Sequence, residues 1–256
     1  MKDRTKSKQE VAPGFFESRR RLLWLPAGLL GGAIMGRAEK IFANSVEEES
    51  TAILTGDLDW ESFLKECLPR AEELHTDSTA QGQNAYLHWL ASMIGRVRTA
   101  EIPRAKLGRF PNLEPAVHFG VKYRGKPFFI VEWWLEPGAM LPPHCHPNAS
   151  VCTFGLEGEA RIRNFEIVGK APEFASRETF LVRETHNEII NAGRINTLSA
   201  LRDNIHTFQA GRAGARGIDI STYHGPDISF SFLDLAAKPK DADARTFEAA
   251  WKGKTV

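Results

Sequence analysis

The sequence predicts a mainly β protein, an antiparallel barrel or jelly roll with helices on its N-terminal side. Two observations carry this reading. From about residue 115, short runs rich in β-branched and aromatic residues alternate with glycine and proline turns. Ahead of that point, apolar residues recur at the spacing of one helix face.

The helices come first along the chain. Asp59 stands where an N-cap is wanted, and Trp60, Phe63, Leu64, Cys67 and Leu68 then share a helix face. Pro69 is expected to end or kink that helix, because proline lacks the amide hydrogen the next turn needs. A second helix is expected from Asn84 to Arg98, with Leu87, Leu90, Ile94 and Val97 as its apolar stripe. His88 beside that stripe and His75 in a polar connection read as packed or surface histidines rather than ligands.

The strands follow. They are expected at Phe128–Leu135, Val151–Phe154, Glu159–Val168, Thr179–Val182, Glu188–Ile190, Asn196–Leu201 and Gly217–Tyr223. Turns are expected at Arg124–Lys126, Glu136–Gly138, Glu157–Gly158 and Asn191–Gly193. The stretch after Ala236 is charged and reads as helix-prone and peripheral. The organisation is then a leader over 1–43, a linker and helical cap over 44–110, a barrel over 111–236 and a tail over 237–256.

Composition bounds the partners. Hydrophobic content of 42% and aromatic content of 10% supply a core for one large or two small domains. A formal net charge of +1 gives no case for nucleic acid. Cys67, Cys145 and Cys152 are too few for a disulfide framework and have no CxxC spacing.

Near the start, Ser18-Arg19-Arg20-Arg21-Leu22-Leu23 precedes an apolar run that ends at Met35 and contains Pro26. The run is short for a bilayer span, which takes about 20 apolar residues. A basic region before a short apolar one is the make-up of an export signal. The string resembles a twin-arginine signal, with Ile41-Phe42-Ala43 as the cleavage region. That resemblance implies export of the folded protein by the twin-arginine machinery, and hence a periplasmic or exported bacterial protein.

The chemistry gathers at His144-Cys145-His146. Two residues apart on an extended segment, the two imidazoles point to one side and can reach one metal ion. His206 would complete a cluster of three neutral nitrogen ligands, suited to a redox-active or hydrolytic metal with open positions. His186 competes for the third place, although its segment reads as a turn between strands. Cys145 and His224 face away from the metal side if their strands are regular.

Gly138, His144, His146 and Gly158 together resemble the first motif of the cupin superfamily. The glutamate usual in that motif is missing; its place falls near Ser150 or Val151, and Glu157 lies too far on to serve. A missing carboxylate is typical of the cysteine dioxygenase-like thiol dioxygenases. Residues 203–227, with His206 and then Tyr223, resemble that family's last two strands.

The resemblance implies an Fe(II) enzyme that uses O2 to convert a thiol into a sulfinate. Its substrate would be a small thiol or an exposed terminal cysteine. His144, His146 and His206 would hold the iron. Tyr223 would hydrogen-bond bound oxygen or substrate, and Asp219, on the same strand face, would orient a ligand histidine or Tyr223.

The chain departs from the family in three places. The serine and histidine that neighbour the tyrosine in animal cysteine dioxygenases are here Asp219 and Ser221. The arginine that pairs with a substrate carboxylate is missing near His118 or Phe119, leaving Lys122 or Arg124 as substitutes. The cysteine that crosslinks to the tyrosine would fall at Val151, and Cys152 next to it faces the other way. Other readings of the same residues are a metal-dependent cupin oxygenase acting on carbon, a cupin isomerase, or a non-catalytic cupin that binds a small molecule.

Overall fold

The computed structural model describes residues 55–255, apart from 77–78, 110–112, 114–115 and 226–229. The twin-arginine string and its cleavage region lie outside the described residues. No helix among the described residues is long and apolar enough to cross a membrane.

Two helices form the N-terminal layer. Helix α1 (Trp60–Thr76) begins where Asp59 accepts the Ser62 N–H at 2.8 Å, so the cap expected there is present. The helix runs through Pro69 to Thr76 instead of ending. A proline inside a helix costs about 3 kcal/mol, through the lost hydrogen bond and the clash of its ring with the preceding turn; the burial of Phe63, Cys67, Ala71 and Leu74 along the helix offsets it. Helix α2 (Ala80–Gly95) starts earlier than expected, because the Thr79 hydroxyl accepts the Gly82 N–H at 3.1 Å and supplies the cap.

The strands are β1 (Gly108–Arg109), β2 (Val117–Gly125), β3 (Phe128–Leu135), β4 (Met140–Cys145), β5 (Ala149–Val168), β6 (Phe180–Asn191), β7 (Ile195–Leu198), β8 (Ile205–Tyr223), β9 (Phe230–Leu235) and β10 (Thr246–Thr255). All their pairings are antiparallel. A closed ring runs β4–β8–β5–β6–β10–β9 and back to β4, which leaves those strands no open edge. The far half of β8 carries β3, β2 and β1 outward on one side, and the near half of β5 carries β7 on the other.

Alternation along β3 and β8 sorts the side chains between two environments. Phe128, Ile130, Ile218 and Ile220 pack against Phe63, Leu87, Leu90 and Ile94 of the helices. Their neighbours Phe129, Val131, Asp219 and Ser221 face a cavity on the other side.

The structure corrects three sequence expectations. Glu157–Gly158 is not a chain reversal; β5 continues through it with a bulge. Gly158 takes φ +65° there, and a Cβ on it would stand 2.1 Å from the Gly214 carbonyl oxygen across the pair. His186 does not sit in a turn, because β6 is one strand from Phe180 to Asn191. The C-terminal stretch is not a peripheral helix: β10 closes the ring, with Phe247, Ala249 and Trp251 alternating into the core.

Candidate metal centre

His144 lies on β4, and His206 sits directly opposite it on β8. His146 follows the end of β4, where its N–H donates to the Asn204 carbonyl at 2.9 Å. Register therefore places His206 beside the H-x-H pair, and one ligand atom from each of the three rings lies within 4.8 Å of the others. The Nε2 of His206 is 2.9 Å from that of His144 and 3.1 Å from that of His146.

These separations fit a shared cation. Two nitrogens bound to one ion at about 2.1 Å and at right angles stand about 3.0 Å apart, against about 3.4 Å at tetrahedral angles. The Nδ1–H of His144 donates to the Pro142 carbonyl at 2.9 Å, which leaves its Nε2 as a bare lone pair aimed at His206. The single nitrogen atom His206 Nε2 faces both other rings and carries at most one proton, so it cannot satisfy both by hydrogen bonding. A divalent ion resolves that crowding.

Electrostatics suit the same role. Burial pushes the His144 imidazole down to about 4. Burial, reinforced by the neighbouring imidazoles, holds His146 and His206 well below the usual histidine value. All three rings are therefore neutral near pH 7, the form a metal needs. No aspartate, glutamate or cysteine joins the cluster among the described residues. Glu157 instead pairs with Arg104 at the surface.

The cluster opens on a cavity of about 530 Å³. Its walls are mostly apolar, with Phe119, Phe129, Val131, Leu141, Phe230 and Phe232 among them. Asp219, Ser221 and Tyr223 line it from β8. Asp219 Oδ1 accepts hydrogen bonds from Thr153 Oγ1 at 2.7 Å and Trp133 Nε1 at 3.2 Å. Burial nonetheless raises its carboxyl to about 6. These bonds run to Thr153 and Trp133, whereas a ligand histidine or Tyr223 was the partner expected for it. Burial also raises the Tyr223 phenol.

The remaining candidates separate clearly. His186 lies 3.6 Å from Asp203, outside the cluster. His75 Nδ1 is 2.7 Å from the Tyr223 carbonyl oxygen, and His224 Nε2 is 3.0 Å from Ser150 Oγ. Cys145 packs with Phe165, Ile205 and Leu233, away from its two histidine neighbours. Cys152 lies in the core under the helices, whereas Val151 packs with Tyr223. All three cysteines are free. Lys122, one of the two possible substitutes for the missing arginine, is buried against Glu132 at 2.6 Å. Arg124 reaches the cavity and stacks over Phe129.

Sequence reasoning missed the contribution of Lys106 to Arg109 to the cavity wall. No local pattern marks that stretch; only its pairing with β2 brings it to the site.

No protein-family model and no curated protein matches the chain. Among solved structures it is similar to KdgF from a Halomonas species, at 14% identity over 45% of this chain and 88% of that one, with a TM-score of 0.33. It is also similar to oxalate oxidase in complex with glycolate, at 18% identity over 50% of this chain and 59% of that one, with a TM-score of 0.35. A third is an uncharacterised conserved protein with a double-stranded β-helix domain from Klebsiella pneumoniae, at 14% identity, 52% and 92% coverage and a TM-score of 0.36. The fold rests on the strand pairings of this chain itself: it is a cupin-type antiparallel β-barrel whose register gathers three histidines capable of binding one divalent metal ion.

Proposed function

We propose that this chain is a mononuclear metal-dependent oxygenase of the cupin type, holding Fe(II) and converting a small, largely apolar thiol into its sulfinate. The observation that carries the reading is the convergence of three neutral imidazoles, with no carboxylate, on one side of an apolar cavity. Such a ligand set leaves the charge of the ion uncompensated, which favours an anionic partner such as a thiolate. The net change is the addition of both atoms of O2 to one thiol, RSH + O2 giving RSO2H, so atoms balance without another reductant.

When bound, the iron supplies Lewis acidity and redox capacity. The chain supplies the rest. His144, His146 and His206 hold the ion. The Pro142 carbonyl keeps His144 in the tautomer that can ligate. Phe119, Phe129 and Phe232 keep water from the reacting atoms. Asp219, raised to about 6, exchanges a proton with the cavity near neutral pH. Tyr223 presents its phenol to the same space.

The cavity volume favours a second reading. About 530 Å³ exceeds what a small thiol fills and suits a larger organic substrate, oxidised or isomerised at carbon. Anaerobic purification, metal analysis and oxygen uptake with a panel of thiols, phenols and diketones test both. A two-oxygen mass gain on a thiol supports sulfur oxygenation. Turnover of carbon substrates alone supports the second reading. Bound metal without turnover of any substrate, or an absence of bound metal, overturns the enzyme reading.

We also propose export of the folded, metal-loaded chain, on the strength of the Arg19-Arg20 string. Cell fractionation of an Arg19→Lys/Arg20→Lys variant tests this, with retention in the cytoplasm as the expected result.

A further inference from the structure

A cross-strand row runs through the metal centre. His144 on β4 stands opposite His206 on β8, His206 opposite Asn164 on β5, and Asn164 opposite His186 on β6. Residues directly opposite on paired strands share a face. His206 is therefore flanked by a ligand ring on one side and by Asn164 on the other. His186 stands one strand further out.

His206 is fully buried, and its Nδ1 has no hydrogen-bond partner among the described residues. An imidazole that binds a cation through Nε2 keeps its proton on Nδ1. A buried N–H without an acceptor is costly. His144 meets that need with the Pro142 carbonyl. Asn164 is the polar side chain that register places beside His206.

The Asn164 amide is itself held in one orientation. Asn164 and Asn196 of β7 are both buried, and each donates from Nδ2 to the other's Oδ1 at 3.0 Å. Asn196 Nδ2 also donates to Glu188 Oε1 at 2.9 Å. An ionised carboxylate only accepts, so Glu188 fixes which end of the Asn196 amide is nitrogen, and the reciprocal pair then fixes Asn164. That exchange uses one lone pair of Asn164 Oδ1 and leaves the second. A buried amide pair stabilises a fold little better than apolar side chains of the same shape, so stability alone gives no reason for this one.

We infer that Asn164 is a positioning residue for the metal, its Oδ1 supplying the acceptor for the His206 Nδ1 proton when Nε2 holds the ion. The inference rests on the three histidines as a metal site, and it needs no particular reaction there.

The test sets zinc affinity, measured by chelator competition near neutral pH on the full chain, beside urea unfolding of the metal-free protein. Asn164→Leu/Asn196→Leu removes both amides together, so neither is left unpaired. The double variant is expected to unfold at the urea concentration of wild type, yet to bind zinc about tenfold more weakly, as loss of an outer-shell partner does. A purely structural role would move the unfolding and leave the affinity. A second measurement needs no variant: in zinc-loaded wild type, the His206 Nδ1 proton should show the downfield resonance of a hydrogen-bonded imidazole N–H, with a cross-peak to the Asn164 amide protons. Wild-type affinity in a double variant that folds, or the resonance of an unbonded N–H, overturns the inference. A wild-type chain that binds no zinc removes the metal centre itself, whereas unchanged affinity in the variant removes only the role of Asn164.

Discussion

His144 and His206 face each other across the antiparallel pair of β4 and β8, with their Nε2 atoms 2.9 Å apart. Sixty-two residues of chain separate them, and register alone makes them neighbours. Replacing His206 with alanine removes the ring that touches both others. We expect His206→Ala to weaken metal binding by more than about 100-fold, beyond what loss of an outer-shell partner costs. His186→Ala should leave it unchanged. Metal content after dialysis, with circular dichroism to verify the fold, checks both; full retention by His206→Ala would reassign the third ligand.

The pH dependence of metal uptake follows from burial of the rings. Folded-state values lie below the usual 6.5, with His144 at about 4. Metal therefore meets neutral ligands and displaces no protons between pH 8 and 6. Affinity measured by chelator competition should be flat over that window. An exposed cluster would instead lose up to tenfold per histidine for each pH unit below about 6.5. The same shift makes the metal-free fold acid-sensitive: this stability is complete above 6.5 and is lost as pH falls towards 4.

Asp219 works in the opposite sense. Its folded value, about 6, lies above the ordinary 3.8, so ionisation at neutral pH opposes folding and protonation relieves it. Asp219→Asn should stabilise the metal-free protein at pH 7.5 by up to about 3 kcal/mol, because the amide oxygen still accepts from Thr153 and Trp133. The advantage should shrink as pH falls through 6 and vanish below 3.8. Urea unfolding across that range checks the prediction; an advantage independent of pH would contradict it.

Trp251 tests the closing strand. Its Nε1 donates to the Pro172 carbonyl at 2.8 Å, and its ring packs on Phe174 and Phe180 at centroid distances of 4.8 and 4.7 Å. Trp251→Ala should cost about 3–5 kcal/mol, the range for large aromatic truncations in a core. Chemical denaturation measures it. A cost near zero would place β10 outside the cooperative fold.

Much of the fold and the heart of the site were legible without coordinates. The β-branched and aromatic run Phe128–Leu135 marks a strand, one-face spacing in Leu87, Leu90 and Ile94 marks a helix, and the H-x-H pair marks a shared ligand face. Those signals are local, since each depends only on how side chains project from a few residues of backbone. Alternation in Phe247, Ala249 and Trp251 was present too, weakened as a signal by the apolar Ala250 between the last two and by the charged stretch ahead of them.

Tertiary structure decided what depends on register and depth. It selected His206 over His186, turned Glu157–Gly158 into a bulge, buried Lys122 against Glu132 and brought Arg109 to the cavity. None of these can be read locally. Which residues face each other across a pair of strands, and which charges lose their water, are set by the whole sheet closing on itself.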